Sequence, residues 1–377
     1  MDNKIFNSLR KPSLNHNETF SLSRESFPEG FLFGTAALAY QVEGMASKYG
    51  RGPSIWDAFV KTPGHIANND TGEVSIDQYH RYKMLNFDAY RFSISWSRIF
   101  PNGTGEINWK GVDYYNRLID YLLEKVISPH ANLYHYDLPL ALQEKYLEFC
   151  FKTFGDTVKT WMTFNEPRVV SALGFDNGIN HPNRCSKQFG NCIDGNSATE
   201  TYIAAHHLIL SHAEVVKTYR IFLDFVWYEP LTRSKADNYA AQRARDINIG
   251  WFLHPLVYGK HPRTMQKIIR ERLPISQKAH SKLLNEVPNI ILSENGMDDL
   301  SNLKFPKSLY DINRVNFYKS YLKELKRAMD DGANVTVYFA WSILDNFEWL
   351  LGYSSRFGLI SQASAYWFKQ MLKRKNS

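Results

Sequence analysis

Thr163-Phe164-Asn165-Glu166-Pro167 closes the run Lys159-Thr160-Trp161-Met162-Thr163-Phe164 with an amide, a carboxyl and a proline. Aromatic and β-branched residues give that run strand character. Proline has no amide hydrogen for a ladder and biases the residue before it toward an extended backbone. The strand is therefore expected to stop with Asn165 and Glu166 at its tip. In a parallel barrel such tips make the rim on which chemistry is done. One carboxyl at one tip carries little weight, because solvated glutamates are common. It needs a partner of the same kind on another strand.

The partner lies far downstream. Asn289-Ile290-Ile291-Leu292-Ser293-Glu294-Asn295-Gly296 is again an apolar run closed by a carboxyl, an amide and a breaker. Two carboxyls at two strand tips are what glycoside hydrolysis needs: one protonates the leaving oxygen, the other attacks or stabilises the anomeric carbon. The two motifs, in this order, resemble those of family 1 β-glycosidases, the plant β-glucosidase group in particular. The resemblance runs from about Phe27 to about Lys373. It implies a (β/α)8 barrel of the TIM type and retaining hydrolysis of a terminal β-glucosyl residue. The substrate class it implies is a small-molecule β-glycoside or oligosaccharide, with no cofactor.

Further positions follow from the same resemblance. Phe33-Gly34-Thr35-Ala36 and then Tyr40-Gln41-Val42-Glu43-Gly44 match it, which implies that Gln41 grips sugar hydroxyls. Arg91 stands inside the apolar run from Ala89 to Trp96, so it is either buried and paired or on an edge. The resemblance places it beside Glu294, where its fixed charge keeps that nucleophile ionised. His135, at the tip of Asn132-Leu133-Tyr134-His135, is implied to meet a sugar hydroxyl, and Asn165 the 2-hydroxyl. The stretch from Val335 to Trp349 implies Trp341 under the sugar ring, with Glu348 and Trp349 completing the subsite. Read by composition alone, Trp341 is a core residue. Glu166 is implied as acid and then base, which asks for an environment opposite to that of Glu294. The thioglucosidases of the family carry glutamine there, so Glu166 argues against that branch.

The chain has 377 residues and 44% hydrophobic content, enough for one large core. One barrel domain is expected over residues 27–377, after a disordered leader over residues 1–26. The net charge of +7 reads as scattered lysines. No basic run interleaved with aromatics suggests nucleic acid, and no run is apolar and long enough to span a membrane. Aromatic residues make up a high 15% of the chain; most are expected in the core, but flat rings also suit the C–H faces of sugars. His206, His207 and His212 sit in a helical stretch without the spacing of a zinc site, so no metal is expected. Ser54 is a candidate cap for a helix starting at Ile55.

Of the three cysteines, Cys185 and Cys192 flank a short polar loop that a disulfide could close, and Cys150 reads as a buried thiol. The resemblance matches the pair to a bridged loop, which implies an oxidising compartment on the secretory route, vacuole or extracellular space. The first residues show no apolar segment of a signal peptide. The match also has gaps, the largest between Pro274 and Pro288. There the family has a whole strand-and-helix unit, with a tyrosine that orients the nucleophile. The barrel is therefore expected to be incomplete around strand 6, with two exposed edges. The alternative reading is a truncated homologue that binds sugar with impaired or no catalysis.

Overall fold

The structure, a computed structural model, describes residues 22–44, 48–75, 85–138, 145–192, 194–216, 221–222, 230–274, 290–300, 309–360 and 362–374. Its strands are β1 (Leu32–Ala36), β2 (Ala89–Ser93), β3 (Ser128–Tyr134), β4 (Thr160–Phe164), β5 (Ile221–Phe222), β6 (Ile290–Asn295), β7 (Asp299–Leu300), β8 (Val335–Trp341) and β9 (Ser355–Arg356). Seven of them form one sheet in the order β5-β4-β3-β2-β1-β8-β6, and all of its pairings are parallel. Parallel neighbours need crossovers, and helices supply them: Trp109–Glu124 after β2, Lys145–Phe154 after β3, Glu200–Val216 before β5, Ile312–Asp330 before β8. β7 and β9 pair separately as a short antiparallel ribbon.

This is the sheet of a (β/α)8 barrel, wound round from β1 in both directions and incomplete among the described residues. Among the described residues no strand joins β5 to β6, so those two are its edges. Strand 6 is where the sequence has its largest gap. The stretch 275–289 lies outside the described residues, as does the part after Phe222 of the strand-like run Phe222-Leu223-Asp224-Phe225-Val226-Trp227-Tyr228.

Strand alternation divides the core in two. On β2, Tyr90 and Phe92 pack outward against the helices, while Ala89 joins Met162, Val337 and Phe339 in a cluster inside the sheet. The outer core takes Val112, Tyr115, Leu118, Ile119 and Leu122, the apolar stripe of the helix Trp109–Glu124. The helix Ile312–Asp330 buries Val315, Tyr318, Leu322 and Leu325. Tyr321, which the helical spacing also puts on that face, is instead 52% exposed and rests its ring on Phe317. Cys150 is fully buried and takes no part in the disulfide. Ser54 caps the helix Ile55–Phe59, with Asp57 returning a bond to the Ser54 amide at 2.6 Å.

The expected leader falls mainly on residues 1–21, outside the described residues. Its last part is ordered: Arg24–Ser26 form a 3-10 turn. Arg24 donates to Asp88 at 2.6 Å and to the Leu372 carbonyl at 3.2 Å, and Arg374 reaches Asp88 at 2.9 Å. Asp88 also accepts from the Phe33 amide at 3.1 Å. One buried carboxylate thus ties both ends of the domain to the start of β1 and β2. Asp88→Ala leaves these donors without an acceptor, and is expected to cost about 3 kcal/mol. The drop in urea midpoint at constant slope measures it; an unchanged midpoint contradicts the tie.

Candidate active site

β4 stops at Phe164, short of Glu166. Pro167 opens the helix Pro167–Phe175 at a position where its missing amide hydrogen is no loss. Glu166 is the residue before that helix. Its backbone is left-handed, with φ 37° and ψ 67°, not the extended conformation that a following proline favours. The helix start overrides the local preference, since the Val169 amide bonds the Glu166 carbonyl at 2.8 Å. Such strain in a non-glycine residue is typical of functional positions.

Glu294 comes from β6. Ile291 packs inside the sheet with Val337 and Phe339, and Leu292 packs outside. Strict alternation from there would carry Glu294 outward. A register shift against β8 between Leu292 and Asn295 resets the phase. Glu294 consequently turns inward to Arg91, while Asn295 accepts from the outward Tyr338 hydroxyl at 2.7 Å. Gly296 follows where a Cβ would lie 2.4 Å from the Trp341 carbonyl, so only glycine lets the chain pass there.

Arg91 is fully buried and ion-paired with Glu294. Its other branch donates to Asn165 Oδ1 at 2.9 Å, and its Nε lies 2.9 Å from Met162 Sδ. One guanidinium therefore joins the tips of β4 and β6. Above it lies a cavity of about 420 Å³, lined by Gln41, His135, Asn165, Glu166, Glu294, Trp341, Glu348 and Trp349. Residues far apart in sequence thus meet round one sugar-sized space. Val169, Leu173, Leu350, Leu351 and Phe357 add apolar lining, and Asn180 adds an amide.

The polar members are held in place. Gln41 donates to Asn346 at 3.0 Å and to Glu348 at 3.4 Å, while its buried Oε1 has no partner among the described residues. Trp349 stacks on Tyr40 and on His135, at 6.0 and 5.5 Å between ring centres. Burial, and then the Arg91 charge, push the His135 imidazole well below its ordinary range, so the ring is neutral. Burial raises Glu348 to about 8, and Glu166 and Asp298 add to the rise while a bond from Trp341 opposes it. Outside the cavity, Cys185 and Cys192 are joined with Cα atoms 5.5 Å apart. Arg184 in that loop grips Glu200 with two bonds of 2.7 and 2.8 Å. His212 is a packing histidine, bonded to Thr163 at 2.9 Å. Among the described residues no cluster of histidine, cysteine and carboxylate side chains could hold a metal.

Sequence reasoning missed Tyr136, whose hydroxyl donates to Glu166 Oε2 at 2.6 Å. The available signal was its place between His135 and Asp137 at a strand tip. It also missed Asn180, on a loop whose path no local pattern reveals.

Two carboxyls on separate strand tips, an inward cation and aromatic faces round one cavity define the class: a barrel hydrolase for carbohydrates. The family model for Glycosyl hydrolase family 1 matches residues 23–289 and 283–377. The chain belongs to glycosyl hydrolase family 1. It is 53% identical to "Beta-glucosidase 44" of Arabidopsis thaliana, over 95% of this chain and 93% of that protein. It is 50% identical to "Beta-glucosidase 1" of Oryza sativa, over 95% and 91%. The crystal structure of the rice Os3BGlu6 β-glucosidase superposes with a TM-score of 0.87 at 35% identity, covering 94% of this chain and 100% of that one. The Thermotoga maritima family 1 β-glucosidase gives 0.79 at 31%, covering 92% and 97%. The Arabidopsis alignment spans 476 positions, 99 more than the 377 residues here, so the relatives carry internal segments that this chain lacks.

Glu348 gives a pH test. The folded state holds its proton up to about pH 8, whereas the unfolded chain releases it near the ordinary 4.5. Between those values the folded state binds more protons, so stability falls as pH rises. Glu348→Gln removes that penalty. Its Tm should lie close to the parent's at pH 5 and exceed it by roughly 5 °C at pH 8.5. A constant difference across the range would contradict the burial of an uncharged carboxyl.

Proposed function

We propose that the chain is a retaining β-glucosidase that removes terminal β-D-glucosyl residues from glycosides or oligosaccharides. The observation that carries this reading is the convergence of Glu166 and Glu294 on one cavity, with Arg91 buried against Glu294. Glu294 attacks the anomeric carbon and forms a covalent glycosyl-enzyme. Glu166 gives its proton to the departing oxygen, then takes one from the incoming water. Arg91 neutralises charge on Glu294 and fixes its direction. Asn165, held by the same guanidinium, presents its amide to the 2-hydroxyl.

Gln41 and Glu348 bind outer hydroxyls, with Gln41 Oε1, which has no partner among the described residues, accepting from the sugar. Neutral His135 adds a further contact. Trp341, third in the inward row Val337, Phe339, Trp341 on β8, supports the ring face. The β-glucosidase relatives support glucose as the glycone. So does a mutant of the rice Os3BGlu6 enzyme, solved in a covalent complex with glucose. The disulfide supports a secretory route, because such bonds persist in oxidising compartments.

The intact chain should release the phenol from an aryl β-glucoside, and Glu294→Gln should lower kcat/KM by roughly 10⁴-fold or more. Turnover that survives this substitution rejects Glu294 as nucleophile. Folded protein that binds glucose with no turnover favours the non-catalytic alternative. Glu166→Ala should keep slow release from an activated aryl glucoside, and azide should restore turnover with β-glucosyl azide as product. Failure of azide to rescue would count against the acid–base role.

A further inference from the structure

We propose that Tyr136 is a positioning residue for Glu166, fixing which carboxyl oxygen carries the proton that is delivered to the leaving group. The proposal rests on the acid–base role assigned to Glu166 above. The Tyr136 hydroxyl donates to Glu166 Oε2 at 2.6 Å and accepts from Asn165 Nδ2 at 3.3 Å. Its ring is 7% exposed, wedged between His135 and Trp349 at 4.8 and 5.1 Å between centres. Both partners have left-handed backbones, with φ 63° at Tyr136 and 37° at Glu166. A bulky residue adopts that conformation at a cost, and here the strained pair face one another across a short bond. A residue serving only as packing has no need of a strained backbone to aim its one polar atom.

Burial, then the charges of Glu166 and Glu294, hold the phenol well above its ordinary range, so it keeps its proton. Tyr136 is thus always a donor to Oε2. An oxygen that accepts this bond is a poor place for a second proton, so the proton of Glu166 sits on Oε1. That oxygen then faces the glycosidic oxygen in one fixed orientation. On cleavage the proton passes from Oε1 to the departing oxygen as the C–O bond breaks, and the tyrosine bond to Oε2 compensates the new carboxylate charge.

Tyr136→Phe tests this on the full chain. For an alkyl β-glucoside, whose leaving oxygen must be protonated, kcat/KM should fall about tenfold. For a dinitrophenyl β-glucoside, which leaves unaided, it should change little. The basic limb of the kcat/KM profile should move to higher pH, because the lost donor favoured the ionised acid. In a Glu166→Ala background the same substitution should have no effect. Equal losses on both substrates, an unmoved limb, or the same loss without Glu166 would reduce Tyr136 to packing and overturn the proposal.

A second readout needs no turnover. Infrared difference spectra, parent minus Glu166→Gln, isolate the Glu166 carboxyl band, and Tyr136→Phe should shift it. An unmoved band overturns the proposal. If the parent releases no alcohol from any β-glucoside, the proposed function fails and this band alone decides on Tyr136. Should Tyr136→Phe not fold, 3-fluorotyrosine placed at position 136 keeps the shape and donates more strongly. It should move band and limb the opposite way, and no movement overturns the proposal.

Discussion

A fully buried guanidinium inside the sheet is the constraint on which the rest depends. Arg91 can occupy that place only because Glu294 balances its charge and Asn165 and Met162 take its remaining directions. An unpaired cation there would cost several kcal/mol. The pairing fixes two strand tips relative to one another, on β4 and on β6, although these lie far apart both in sequence and in the strand order. It also reaches the neighbouring groups: the Arg91 charge, after burial, keeps His130 and His135 neutral. Neither histidine therefore adds positive charge beside Arg91.

The position of this pair bears on the opening that the described residues leave between β5 and β6. Arg91 lies on β2, which is paired on both sides, whereas Glu294 lies on β6, an edge. β6 is held by β8 alone among the described residues, and its burial is only partial. A closed barrel would hold that strand from both sides. Here the ion pair, the Asn295–Tyr338 bond and the tight passage at Gly296 supply much of what keeps Glu294 in register. The other cavity walls come from segments at or just after the tips of β1, β3, β4 and β8, each of which is paired on both sides.

Much of this was legible in the sequence, for identifiable reasons. Apolar runs closed by a carboxyl, an amide and a breaker mark strand tips. An arginine inside such a run has to be buried and paired or lie at an edge. The gap between Pro274 and Pro288 predicts an unclosed sheet. What could not be read depends on three dimensions. Strict alternation along β6 points Glu294 the wrong way, and only a register shift against β8 corrects it. Pro167 argues for an extended Glu166, but the helix that it opens wins. Tyr321 fits the helical stripe, yet Tyr318 and Leu322 fill the interface and leave it outside. Tyr136 carries no motif, because its meaning is one bond to a residue thirty positions away.

With Glu294 as nucleophile and Glu166 as acid, two distant carboxyls would act on one bound sugar, one of them by covalent attack. Incubation of the intact chain with a 2-deoxy-2-fluoro-β-glucosyl fluoride tests it most directly, since the fluorine slows release of the glycosyl-enzyme. Covalent attack by Glu294 should give a stoichiometric mass gain of one fluoroglucosyl unit, located by peptide mapping on Glu294 and absent in Glu294→Gln. A label on another residue, or turnover without any covalent adduct, would contradict it.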